Sequence, residues 1–157
     1  MPKKSADLIS AIQDTADQAL DQRVLLSLVG YNLKRAYLSI MPVFEKRMAK
    51  YELRPVDFTV LSLLKANPNI QQKRLSAAIN VSPPNLATLL DKLEGRHLIQ
   101  RQRNPLDKRS QTLVLTEDGA RLCDKAEKTA SDLEIAASNK LTVAERAELI
   151  RLLQKIA

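Results

Sequence analysis

From residue 24 to 48 apolar side chains recur at helical spacing: Val24, Leu25, Leu28, Leu33, Tyr37, Ile40, Met41 and Phe44. Pro42 falls inside this run and predicts a kink or a split near Ile40, because proline has no amide hydrogen for the preceding turn. Residues 6–20 are weakly amphipathic and read as a short helix. Arg54-Pro55 opens the next helix, with proline in the first turn and Phe58, Leu61 and Leu64 facing inward. The "NPN" at 67–69 ends it.

Two short helices follow. The first runs over about 72–79 on an apolar face of Leu75, Ala78 and Ile79, and Asn80 stands where a left-handed cap is expected. Ser82 caps the second and Pro83 fills its first turn. That helix carries Leu86, Leu89, Leu90 and Leu93, an i, i+3, i+4, i+7 stripe, and Gly95 marks its end. Alternation then replaces helical spacing, and two strands, 98–103 and 111–115, flank a turn-rich tip. Thr116 caps a helix from 117 to about 139, whose inward positions are Ala120, Ala126, Ala130, Ala136 and Ala137 with Leu122 and Leu133. "TVAE" at 142–145 is a capping box for a last helix bearing Leu149, Ile150, Leu152, Leu153 and Ile156. The fold expected is mainly α with a small β-hairpin, in the order helices, helix-turn-helix, hairpin, helices.

Composition agrees: 157 residues hold three glycines and 45% hydrophobic side chains, a single-domain size with a helical bias. Charge adds more. The net charge is +7, but it is not spread evenly. Residues 71–109 hold eight Lys/Arg against three acids, a net of +5, whereas 117–157 hold seven bases against eight acids. A focused basic segment points to a polyanion partner. The single cysteine, Cys123, cannot form an internal disulfide, which fits a reducing compartment. "MPKKSADLIS" lacks the apolar core of a signal peptide, and the uncharged run 24–33 is too short for a membrane span. A soluble cytoplasmic protein with no membrane partner is expected.

With its buried stripe removed, the second short helix presents Pro84, Asn85, Ala87, Thr88, Asp91 and Lys92, with Ser82 at its start. Short polar side chains on the first turns suit a recognition helix entering a major groove. Asn85 and Thr88 can hydrogen-bond base edges, Ala87 can meet a thymine methyl, and the helix start with Ser82 can hold a phosphate. The hairpin that follows reads as a wing. Arg109 suits a minor groove, whose negative potential attracts guanidinium groups, and Asp107 is its orienting partner. Arg101, Arg103 and Lys108 are candidate phosphate contacts. The competing reading is a solvated two-helix corner with a basic hairpin.

The stretch "NIQQKRLSAAINVSPPNLATLLDKLEGRHLIQRQRNPLDKRSQTLVLTEDG" resembles the winged helix-turn-helix of the multiple antibiotic resistance regulator (MarR) family. Its wing and exit match that family's D-x-R-x(5)-L-T-x-x-G pattern at Asp107, Arg109, Leu115, Thr116 and Gly119. The resemblance covers most of the chain. It implies a winged helix-turn-helix domain, 53–116, flanked by dimerisation helices at 1–52 and 117–157, the first also forming part of an effector pocket. It further implies an obligate homodimer on a pseudo-palindromic double-stranded DNA operator. A small molecule between the dimerisation helices and the reading lobe would release that operator.

Two departures stand out. The family commonly has glycine before the first wing strand, where this chain has His97, a residue that tolerates left-handed backbone. A structural role for His97 is favoured over an effector or pH role. Thr88 stands where many relatives carry a long basic side chain, so the operator preference need not be theirs.

Peroxide-sensing relatives use a cysteine near the start of the first long helix. Cys123 does not map there and reads as a buried, inert thiol. One His and one Cys do not make a zinc site, and neither metal nor cofactor is expected. An organic effector remains. Tyr31, Arg35, Tyr37 and Ser39 on the first long helix suit an aromatic carboxylate, with packing and dimer contact as the equal alternative, and the family resemblance adds the CoA thioester of such an acid as an expected effector. Arg54 and Asp57 are weaker candidates. The chain shows no Gly-rich phosphate loop and no nucleophile–base pair, so no enzyme is expected. The alternative from another class is a winged-helix protein–protein adaptor.

Overall fold

The structure, a computed structural model, describes residues 20–103 and 111–156. The weakly amphipathic stretch at 6–20 lies outside these but for Leu20, as do Asp107, Lys108 and Arg109. The chain forms two compact units, Met1–Ser39 and Ile40–Ala157.

In the first unit a short helix, α1 (Arg23–Leu26), precedes the start of α2 (Val29–Met48). The corner between them is held by Asn32, whose Nδ2 donates to the carbonyls of Leu26 and Leu28, both at 2.8 Å. Helix α2 runs through Pro42 without a break, so the expected split near Ile40 is corrected. Proline withholds one hydrogen bond from the carbonyl four residues earlier, that of Leu38. Leu38 and Pro42 are both exposed, which leaves that carbonyl open to water.

The second unit carries the core. After a 3₁₀ turn, Ala49–Tyr51, come α3 (Pro55–Ala66), β1 (Ile70–Gln71), α4 (Gln72–Ile79), α5 (Pro83–Gly95), β2 (Ile99–Arg103), β3 (Gln111–Leu115), α6 (Glu117–Ala137) and α7 (Val143–Leu153). The expected mainly helical fold with a winged helix-turn-helix is present. The inward faces of α3 to α5 meet in one cluster, with Leu61, Leu64, Leu75, Leu86, Leu90 and Leu93 all at most 1% exposed. Complete burial of such a leucine stabilises by about 1.5–3 kcal/mol. The expected hairpin forms with Ile99 opposite Leu115 and Arg103 opposite Gln111. A third strand joins it: β1 pairs with β3 through Ile70 and Leu113, giving the antiparallel order β1-β3-β2.

Helix α6 packs by Gly119, Cys123, Ala126 and Leu133, while Ala136 and Ala137 are exposed instead of inward as expected. The capping box at Thr142 and Glu145 forms as expected. Helix α7 buries none of its residues within the chain. Leu149, Ile150 and Leu152 stay 44–49% exposed, an apolar face without a partner among the described residues.

Candidate nucleic-acid interface

The turn between α4 and α5 is set by two residues. Asn80 takes the expected left-handed conformation, φ 51° and ψ 43°. Ser76, buried on α4, donates from its hydroxyl to the Val81 carbonyl at 2.6 Å and accepts the Val81 amide at its own carbonyl at 3.2 Å. That second lock fixes how α5 leaves α4, and nothing in the apolar spacing announces it.

Helix α5 begins with Pro83 and Pro84, which have no amide hydrogens to satisfy. Ser82 occupies the cap position, but its side chain makes no cap hydrogen bond, a correction to the expected cap. Ser82, Pro84, Asn85, Thr88 and Lys92 are exposed, and Ala87 is half-buried beside them. The Thr88 hydroxyl donates to the Pro84 carbonyl at 3.2 Å, which leaves its lone pairs outward as acceptors. The stripe of Leu86, Leu89, Leu90 and Leu93 anchors the opposite face, so the outward one is presented by a rigid helix.

The wing is tied in at its base. His97 adopts φ 56°, the left-handed geometry its place in the sequence requires. Thr116 then clamps both ends of the hairpin. Its amide donates to the Leu98 carbonyl at 3.1 Å, and its hydroxyl donates to the His97 carbonyl at 2.7 Å. The same hydroxyl accepts the Gly119 amide at 2.9 Å, starting α6. A Cβ on Gly119 would lie 1.9 Å from the Leu98 carbonyl oxygen, so only glycine permits this approach.

The described basic residues of 71–103 divide into two groups. Arg96 is spent inside the fold, donating to the carbonyls of Glu52 and Tyr51 at 2.8 and 3.0 Å. Arg101 is paired with Asp91 and Glu94 of α5. Lys73, Arg74, Lys92 and Arg103 are exposed and have no ion-pair partner among the described residues. Lys73 and Arg74, in the first turn of α4, were not singled out from the sequence, although the charge count included them.

Below this surface lies a buried carboxylate. Asp57 is fully buried and accepts from the Arg54 amide and Nε, both at 3.0 Å, and from its Nη2 at 2.9 Å. Burial pushes its pKa up, but the hydrogen bonds from Arg54 and the charges of Arg54 and Lys92 outweigh that, and the carboxyl ends below its usual range. The pair fixes the start of α3. It is engaged with itself and offers an effector little.

Among the effector candidates, Arg35 lies over the Tyr31 ring, 5.8 Å from its centroid, and the Tyr31 hydroxyl donates to Gln22 at 3.1 Å. Ser39 continues that face of α2 at the next i+4 position, whereas helical geometry turns Tyr37 to the other side. Cys123 is buried, and burial pushes its thiol up to about 11, the inert state expected. No group of three or more potential ligating side chains capable of holding a metal occurs among the described residues. No described helix is long and apolar enough to cross a membrane.

The MarR family model matches residues 53–111, from just before α3 to the start of β3. The transcriptional repressor NicR of Pseudomonas putida is 26% identical over 156 residues, covering 99% of this chain and 95% of that protein. The repressor CouR bound to a 23-mer DNA duplex superposes with a TM-score of 0.82 at 36% identity, over 88% of this chain and 99% of that one. CouR bound to p-coumaroyl-CoA superposes with a TM-score of 0.75 at 33% identity, over 89% of this chain and 97% of that one.

Proposed function

The chain belongs to the MarR family of transcriptional regulators, and from that premise we propose that it is a ligand-responsive repressor binding a pseudo-palindromic operator as a homodimer. The observation that carries this reading is the anchored face of α5. Ser82, Pro84, Asn85, Thr88 and Lys92 stand outward on a helix fixed by four buried leucines, with Ala87 at the edge. Asn85 and Thr88 contact base edges. Lys73, Arg74, Lys92 and Arg103 meet phosphates. Lys108 and Arg109 extend the wing into the neighbouring groove, with Asp107 orienting Arg109.

Dimerisation is supported by α7, whose apolar side chains have no cover among the described residues and form the kind of patch that marks an association surface. The first unit offers a comparable set in Leu25, Leu28 and Leu33. The protein works in the cytoplasm, where DNA and a reducing milieu meet its needs.

The effector we infer is an aromatic carboxylate or its CoA thioester. Tyr31, Arg35 and Ser39 on one face of α2 suit ring packing with a charged anchor, and a repressor 33% identical to this chain binds p-coumaroyl-CoA. Tyr37 then serves packing or dimer contact. The test is selection of a duplex from a random pool, followed by displacement with each aromatic acid or CoA thioester that raises the melting temperature. Release of the selected duplex by such a compound, weakened by Arg35→Ala, is expected. Failure of every stabilising aromatic compound to release it would overturn the effector assignment.

A further inference from the structure

Arg101 is not placed as a free phosphate anchor. Strand alternation turns it the same way as Ile99, toward α5, and its side chain is only 20% exposed. Its Nη2 donates to Asp91 Oδ1 at 2.6 Å, and its Nη1 donates to Glu94 Oε2. The Arg101 amide donates to the other oxygen of Glu94 at 3.1 Å. One guanidinium therefore joins the first wing strand to two carboxylates on the recognition helix.

We propose that Arg101, Asp91 and Glu94 form a latch that sets the spacing between recognition helix and wing, making Arg101 a positioning residue for operator recognition and not a phosphate ligand. The planar fork of arginine holds direction as well as distance, so two carboxylates three residues apart fix both the height and the rotation of α5 against β2. The latch also solves an electrostatic problem. Asp91 follows Thr88 by three residues on the reading face, with its side chain 68% exposed, where an unpaired carboxylate would repel phosphate. Arg101 cancels that charge at its source. With two acids around one cation the cluster has no positive charge to spare for DNA.

The proposal rests on the DNA-binding reading, and the test separates the two. Affinity of the full chain is measured by fluorescence anisotropy for a duplex that wild type recovers from a random pool and for a scrambled duplex. Arg101→Gln should weaken the recovered duplex about tenfold or more, the scale of one mismatched base pair, beyond the smaller loss that the uncovered Asp91 carboxylate causes in both duplexes. Loss of a phosphate ligand would instead weaken both duplexes alike and reduce the salt slope by about one, which would overturn the latch. The double variant Asp91→Asn/Glu94→Gln should lose the same discrimination, and adding Arg101→Gln should cost nothing further; additive losses would also overturn it. If Arg101→Gln does not fold by circular dichroism, Arg101→Lys keeps the charge without the fork and should show a smaller loss confined to the recovered duplex. A wild-type chain that bound no duplex more tightly than another would overturn operator recognition itself.

Discussion

Replacing Gly119 by alanine sets two effects of opposite sign against each other. In a helix, alanine is favoured over glycine by about 1 kcal/mol, so propensity alone makes the variant more stable. Contact says otherwise. The new Cβ would lie 1.9 Å from the Leu98 carbonyl oxygen and 2.8 Å from its carbon, against the 3.0 Å that real Cβ contacts respect, so α6 and the start of the wing must separate by about 1 Å. These are backbone atoms and cannot rotate away. Such overpacking costs about 1–3 kcal/mol. The separation also strains the bonds from the Thr116 amide to Leu98 and from the Thr116 hydroxyl to His97, each worth about 1 kcal/mol. Less the propensity gain, a net loss of about 2–4 kcal/mol is expected. Urea unfolding at one fixed chain concentration measures it, with association held constant between variants. Equal or higher stability for Gly119→Ala would refute the close-approach explanation of this glycine.

Asp57 makes stability depend on acid. Its folded pKa is lowered, so its contribution is complete above the unfolded value of about 4 and is lost as pH falls through the lower folded value. Asp57→Asn should flatten the decline in melting temperature in that acid window, and an unchanged slope would contradict the assignment. Cys123, with its thiol pushed up to about 11 by burial, should resist a thiol reagent at neutral pH until the chain unfolds; prompt labelling of the native protein would contradict its burial. The Thr112 hydroxyl is buried without a hydrogen-bond partner among the described residues, so Thr112→Val should be neutral or gain up to about 1 kcal/mol, checked by the same urea assay. Asn85→Ala or Thr88→Ala should change the preferred base at one position per half-site, worth about 1–3 kcal/mol, and selection returning an unchanged site would count against both as base readers.

The helix-turn-helix was legible because its signals are local. Four leucines at helical spacing define α5, Asn80 announces a left-handed turn, and Thr116 stands directly before the helix it caps. Strand β1 was not legible, since Ile70 and Gln71 become a strand only by pairing with Leu113 and Thr112, more than forty residues away. The commitment of Arg101 was hidden for a similar reason. Its partners lie seven and ten residues earlier on another element, although the parity of Ile99 and Arg101 held the clue to which face it takes. Of the two outcomes Pro42 suggested, the split does not occur, because Leu38 and Pro42 lie on an exposed turn where the missing hydrogen bond costs least. The polar groups of the reading face were visible only after the buried stripe had been subtracted. The wing tip with Asp107, Lys108 and Arg109 lies outside the described residues, so its part in the interface rests on the spacing of the D-x-R motif.

The central claim, that the exposed cations of this lobe hold DNA phosphates, is tested most directly by the salt dependence of duplex affinity. Plotted as logarithms, the affinity of the wild-type chain for its selected duplex should fall linearly with salt, with a slope of about −0.9 for each phosphate neutralised. Arg109→Ala should bind more weakly without a lower melting temperature. A folded homodimer whose duplex affinity did not respond to salt would contradict the account and leave the winged helix as a protein-binding module.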